Sequence, residues 1–535
     1  MLKKFLLLFV YLVMLPNISN AQKFNFVEAT IGDIQKTIRS GNMTCREIVS
    51  GYLDRISTFD QVTKLNAITV VNRNALKKAD QIDLALKNGD LLGSLFCAPM
   101  LVKDNYDTHD LPTTGGSIAL KNSYPPDDAF MVRKLREAGA IVIAKTNMAE
   151  WAFSPRQSIS SSFGTTANAY DLTRVPAGSS GGTASGTAAS FGVAGMGSDT
   201  GNSIRGPSSH LALFGIRSTL GLTSRDGIIP LAWDRDVAGP MTRTVTDGAK
   251  IFNEIAGYDP ADSMTELGKG KRKKDYTVYL DKNALKGKRI GVLRSLVFTK
   301  DADPEITALF IQAVEDLKKA GAIIVDPFEI ANFEEHRNGS SFCMRFRYDM
   351  RQYLKSLGDK APIKDVMEVL ETGQYSTSTK AGLENFGAGS LDTHPNDETP
   401  PCIEFPNHPL RNAFKADVEG SMDKHNVDVI IYPSWTNPPA LLSRADADYK
   451  GDNSQIIAPA TGLPAATVPM GFSHGNLPAG LQILARAYAE DTIFAVAYTY
   501  EQATKHRKPP RRFPEIDKVT KFALKNKTTP LVIDR

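Results

Sequence analysis

Residues 177–206 read AGSSGGTASGTAASFGVAGMGSDTGNSIRG and carry nine glycines and six serines. A serine hydroxyl is a useful nucleophile only when a base takes its proton and hydrogen-bond donors receive the developing oxyanion. Glycines let the backbone turn tightly and bring its N–H groups close to a ligand. A flexible Gly/Ser linker is the competing reading. Phe191, Val193, Ala194 and Met196, with the small-residue run 183–189, argue instead for a turn, a packed helix, a strand and a second turn. No Gly-Lys-Ser/Thr follows, so a phosphate cradle is not completed. Gly178-Ser179-Ser180-Gly181-Gly182 also fits G-x-S-x-G, a nucleophile elbow with Ser180 attacking. That elbow needs a strand before it, whereas 169–177 is polar and contains Pro176. It also needs a histidine, and His394, His408, His425 and His474 have no distinctive setting.

The surrounding pattern supplies elements to hold such turns. Thr44-Cys45-Arg46-Glu47 forms a capping box before the apolar stripe Ile48, Tyr52, Leu53 and Ile56. A helix over 128–138 is closed by Gly139, and a strand follows over 140–144. The same plan recurs with a helix over 304–320, Gly321 and a strand over 322–325. Short apolar runs at 290–293, 429–432, 466–468 and 481–484 complete the set. Helices alternating with apolar strands predict an α/β fold: a mixed, largely parallel sheet with helices on both faces. Segments 268–274 and 375–401 read as surface loops on one body, and 505–512 as a solvated basic tail.

The motifs resemble those of the amidase signature family, serine hydrolases acting on amides. The matching residues are Gly178-Ser179-Ser180-Gly181-Gly182 and Gly197-Ser198-Asp199-Thr200-Gly201-Asn202-Ser203-Ile204-Arg205. Upstream, Pro99-Met100-Leu101-Val102-Lys103-Asp104-Asn105 is similar to the family's apolar strand ending in its lysine. Arg225–Pro230, Pro469-Met470-Gly471 and Gly480-Leu481-Gln482 also match, so the resemblance covers most of the chain. It departs at Ala177 and Asn202, where the family usually has glycine; asparagine tolerates left-handed backbone better than most residues. The resemblance implies the amidase signature fold, with Ser203 as nucleophile, Ser179 as relay after a cis peptide bond, and Lys103 as base. Backbone N–H groups of Thr200, Gly201, Asn202 and Ser203 would form the oxyanion hole, with Ser180 and Arg205 holding the turns. A lysine titrates near 10.4 in water, so Lys103 must be buried to become neutral. The substrate implied is a linear amide, with peptide amides among the candidates, and the chemistry calls for no metal and no organic cofactor. A glutaminase subunit of a tRNA-modifying amidotransferase is the family's other role.

The 535 residues are 42% hydrophobic and 23% charged, which excludes disordered and collagen-like classes. A formal charge of +4 leaves no basic excess for a nucleic-acid partner. Lys3, Lys4, an apolar run over 5–15 and Ser19-Asn20-Ala21 read as a signal peptide over 1–21, which predicts export to a periplasm or medium. No later run is long enough to span a membrane. The remainder, 22–535, reads as a single domain: a helical part over about 22–85, a core over 86–260 and a C-terminal part over 285–510. Among four cysteines, Cys45 and Cys97 read as buried thiols, and Cys343 with Cys402 is the pair to test. Oligomeric state is not legible.

Overall fold

Local signals start the helices where the sequence places them. In the computed structural model, which describes residues 24–339 and 343–516, the helix Cys45–Thr63 opens on a complete capping box. Thr44 accepts from the Glu47 N–H and the Glu47 carboxylate accepts from the Thr44 N–H. The helix Pro304–Lys319 starts with Asp303 accepting from the N–H groups of Glu305 and Ile306, and Gly321 beyond it is left-handed at φ +102°. The helix Phe130–Glu137 begins two residues later than expected. Asp128 is drawn away from it, accepting from the His109 N–H and pairing with Arg136. The expected signal segment lies outside the described residues.

In chain order the strands are β1 (Ile68–Val71), β2 (Pro99–Lys103), β3 (Ile141–Thr146), β4 (Ile159–Ser160) and β5 (Gly164–Thr165). They continue with β6 (Ala194–Asp199), β7 (Phe214–Arg217), β8 (Val237–Thr242) and β9 (Arg289–Val292). The last are β10 (Ile323–Val325), β11 (Val429–Pro433), β12 (Ala465–Ser473) and β13 (Leu477–Ala485). Eleven of them form one mixed sheet in the order β1-β3-β2-β6-β8-β7-β12-β13-β11-β9-β10. Parallel pairing joins β3, β2 and β6 on one side and β11, β9 and β10 on the other, with antiparallel pairing between. Side-chain alternation on β7 shows helices on both faces. The Phe214 ring packs under Gly248 of the helix Val245–Ile255 and lies 5.6 Å from Phe494 of the helix Glu490–Thr504. Its neighbour Gly215 faces the opposite way, against Ser208 of the helix Arg205–His210.

Three expectations need correction. Cys45 and Cys97 are not free thiols: they form a disulfide, and Cys343–Cys402 forms a second. The turn before β2, with Cys97 at φ +56°, brings its Cα within 5.7 Å of that of Cys45 at the helix start, inside bridging range. Segment 375–401 is partly helical, with Leu383 of Lys380–Phe386 buried. It joins Phe346, Met350 and Val369 in a separate apolar cluster that covers Trp151, Ile229 and Leu231. The tail 505–512 is not wholly solvated. Arg507 pairs with Glu28 and donates to the Ala212 carbonyl, fastening the two ends of the described chain together. No helix among the described residues is long and apolar enough to cross a membrane.

Candidate active site

Strands β3, β2 and β6 run parallel, so their C-terminal ends meet at one edge of the sheet, where α/β folds commonly place ligands. Lys103 ends β2 and is fully buried. Its Nζ donates to Ser179 Oγ at 2.7 Å and to Ser198 Oγ at 2.8 Å. Asn105 steadies the second acceptor, its Nδ2 donating to Ser198 Oγ at 2.9 Å. Lys103 does not pair with its neighbour Asp104, which instead faces Lys145 at 3.5 Å. Burial pulls the Lys103 ammonium down to about 7, although Asp236 and Asp199 favour its charge.

The Ser179 turn is shaped by close backbone approach. The Gly178–Ser179 peptide is cis, as the resemblance implied. A Cβ at Gly178 would lie 2.3 Å from the Ser154 carbonyl oxygen, so only glycine fits. Ala177 sits at φ +66°, a left-handed conformation that glycine adopts freely. Ser180 precedes the helix Gly181–Ala188, its hydroxyl donating to the Ser198 carbonyl at 3.2 Å. The twelve residues before it form no strand, and among the described residues no histidine bonds to Ser180. The arrangement of an elbow nucleophile is therefore not present.

The turn over 200–203 hangs from a buried ion cluster. Asp199 ends β6 between Arg205 and Arg217, all three fully buried. Burial works against the Asp199 charge, but the two guanidiniums outweigh it and hold the carboxyl below its ordinary value. Arg205 Nη2 also donates to the Gly201 carbonyl at 2.6 Å, and Arg217 to the Asp199 carbonyl. In a trans peptide the N–H points opposite the C=O. Pinning those carbonyls turns the Asn202 and Thr200 N–H groups the other way. Among the described residues no protein group accepts from the backbone N–H groups of Gly201, Asn202 or Ser203. The Thr200 hydroxyl donates to Asp236, whose carboxyl burial pushes upward.

Of the residues singled out from sequence, the structure joins Lys103 to Ser179 directly and Ser180 to β6 through the Ser198 carbonyl. It does not join Ser179 to Ser203. The Ser203 hydroxyl is 5% exposed and donates to Asn202 Oδ1 at 3.5 Å. The left-handed tolerance of asparagine is not used either, since Asn202 has no positive φ. Sequence reasoning missed Ser198 and Asn105 as partners of the lysine, although both stood inside motifs already noted. It also missed Asp236, which no local pattern marks. A trio able to hold a metal, His109, Asp110 and Asp128, is already bridged by Arg136.

A model of the Amidase family matches residues 47–494. The chain is 33% identical over 510 residues to a glutamyl-tRNA(Gln) amidotransferase subunit of Gloeothece citriformis, covering 90% of this chain and 99% of that one. The namesake protein from Thermoanaerobacter pseudethanolicus is also 33% identical, at 90% and 98% coverage. Among solved structures, a peptide amidase from Stenotrophomonas maltophilia superposes with a TM-score of 0.79 at 32% identity, covering 91% of this chain and 99% of that one. A bacterial aryl acylamidase, 22% identical, shares the fold with a TM-score of 0.74. With a lysine and two serines at the motif positions, on the fold of these neighbours, the chain belongs to the amidase family.

Proposed function

We propose that the protein hydrolyses a linear carboxylic amide through an acyl-enzyme on Ser203. The observation that carries this reading is the buried Lys103 amine, 2.7 Å from Ser179 Oγ and titrating near 7. An ordinary lysine would be neutral in about one molecule per few thousand at pH 7; this one is neutral in about half. Neutral Lys103 takes the Ser179 proton as Ser179 takes that of Ser203, once the Ser203 hydroxyl swings from Asn202 to Ser179. Ser203 Oγ then bonds to the amide carbon, and the oxyanion meets the free N–H groups over 201–203. As the C–N bond breaks, the proton returns through Ser179 to the amine. Water repeats the relay to release the acid.

The peptide amidase likeness, with a higher TM-score than the 0.69 found for an amidotransferase subunit of Thermotoga maritima, favours peptide amides as substrates. The names of the relatives support a second reading, a glutaminase subunit of an amidotransferase. The two disulfides fit an oxidising compartment, and so an exported hydrolase rather than a partner in tRNA modification. A fluorophosphonate should label the wild type and fail to label Ser203→Ala. Turnover of peptide amides, but not of glutamine, supports the hydrolase; turnover of glutamine alone supports the amidotransferase role. Finding the mature protein outside the cytoplasm, beginning at Gln22, supports export.

A further inference from the structure

Position 202 is where this chain departs from the family's usual glycine beside the nucleophile. A side chain there either intrudes on the site or is held by something else. Asn202 is held: it is 1% exposed, and its Nδ2 donates to Asp452 Oδ2 at 2.8 Å and to the Pro155 carbonyl at 3.1 Å. The Pro155 carbonyl also accepts from the Gly178 N–H at 2.9 Å. One oxygen thereby ties the Ser179 turn to the Ser203 turn. Asp452 in turn accepts from the Tyr449 hydroxyl at 3.0 Å, and that hydroxyl accepts from Gln455 Nε2 at 3.1 Å. Gln455 packs against Gly201 so closely that a Cβ there would lie 2.1 Å from Gln455 Oε1. Residues 201 and 202 are therefore both seated on the segment 449–455. The carboxamide is planar, so fixing Nδ2 also fixes Oδ1, the acceptor of the Ser203 hydroxyl.

We infer that Asn202 is a positioning residue whose carboxamide, clamped by Asp452 and Pro155, sets the Ser203 turn against the Ser179 turn and aims the Ser203 hydroxyl. This rests on Ser203 being the nucleophile. Asn202 moves no proton in the relay and acts only through Ser203. Glycine at 202 would remove the tie to Pro155 and Asp452 and leave Asp452 short of a donor.

The test uses the full chain, a C-terminal peptide amide as substrate and a fluorophosphonate as probe. Asn202→Gly and Asp452→Ala should each lower kcat and the labelling rate about tenfold, the upper end of what one buried hydrogen bond contributes. KM should stay within about twofold, since binding is not what the clamp supports. Asp452→Asn, which can still accept, should restore most of the rate. Because both residues act through one contact, the double variant Asn202→Gly/Asp452→Ala should be no slower than the slower single one. Wild-type kcat and labelling in Asn202→Gly, or losses that multiply in the double variant, would overturn the inference. If Asn202→Gly does not fold, Tyr449→Phe decides in its place: it loosens Asp452 without altering the turn, and an unchanged kcat there overturns the clamp. Labelling that survives Ser203→Ala removes the nucleophile itself, a result read independently of the clamp variants.

Discussion

The Ser179 turn and the 200–203 turn each carry one of the two serines, yet they are fastened by different means. At the first, Ser179 meets the end of a central strand, where Lys103 and Ser198 are enclosed and hydrogen-bonded at 2.7–2.8 Å. At the second, the backbone is pinned from behind by Asp199, Arg205 and Arg217, while the Ser203 hydroxyl faces Asn202 at 3.5 Å. The contrast teaches a division of labour. The lysine half is enclosed in the core, where burial disfavours the ammonium. The Ser203 half carries backbone N–H groups that no protein group claims among the described residues, which suits the role proposed for it.

Breaking the first half should cost most. Lys103→Ala should lower kcat/KM about 10⁴-fold, as removing one member of a hydrolytic triad does. It also leaves a cavity in place of a fully buried side chain and should lower the melting temperature without unfolding the protein at assay temperature. Steady-state kinetics and a melting curve check both outcomes; retained activity would place the base elsewhere. Breaking the second half should show in stability as well. Asp199→Ala strands two buried guanidiniums and should destabilise the fold by about 3–5 kcal/mol, measured by denaturant unfolding, while also loosening the Gly201 carbonyl. Ser198→Ala sharpens the comparison more gently. It removes one acceptor from Lys103 and should lower kcat about 10–100-fold, with Ser203 still labelled by fluorophosphonate. The smallest effect on chemistry belongs to Cys343→Ser/Cys402→Ser. Opening this loop, whose ends lie 59 positions apart, should cost about 4 kcal/mol of stability and leave kcat within about twofold.

Much of this contrast was legible in the sequence because its chemistry is local. Lys103, Ser179 and Ser203 each sit in a short motif whose glycines and strand pattern announce the turn. The strands over 429–433 and 289–292 were visible as apolar runs for the same reason. What stayed hidden is what the fold brings together from afar. Ser198 becomes a lysine partner only because β6 lies beside β2, with Met196 opposite Val102. Asp452 reaches Asn202 across 250 positions, and Cys45 reaches Cys97 only once a helix start and a left-handed turn face each other. Segment 375–401 looked like loop because its polar residues hide one buried leucine and a contact to Glu150, which accepts from the Ser376 N–H at 2.9 Å.

The base role proposed for Lys103 is tested most directly by the pH dependence of Ser203 phosphonylation, followed by fluorophosphonate labelling under single-turnover conditions. Because the folded-state value is lowered to about 7, the amine is protonated and idle below that pH and neutral above it. The labelling rate should therefore rise with pH, reach half its maximum near pH 7 and level off above. A rate that does not change from pH 5 to 9, or one still climbing toward the ordinary lysine range near 10.4, would contradict it.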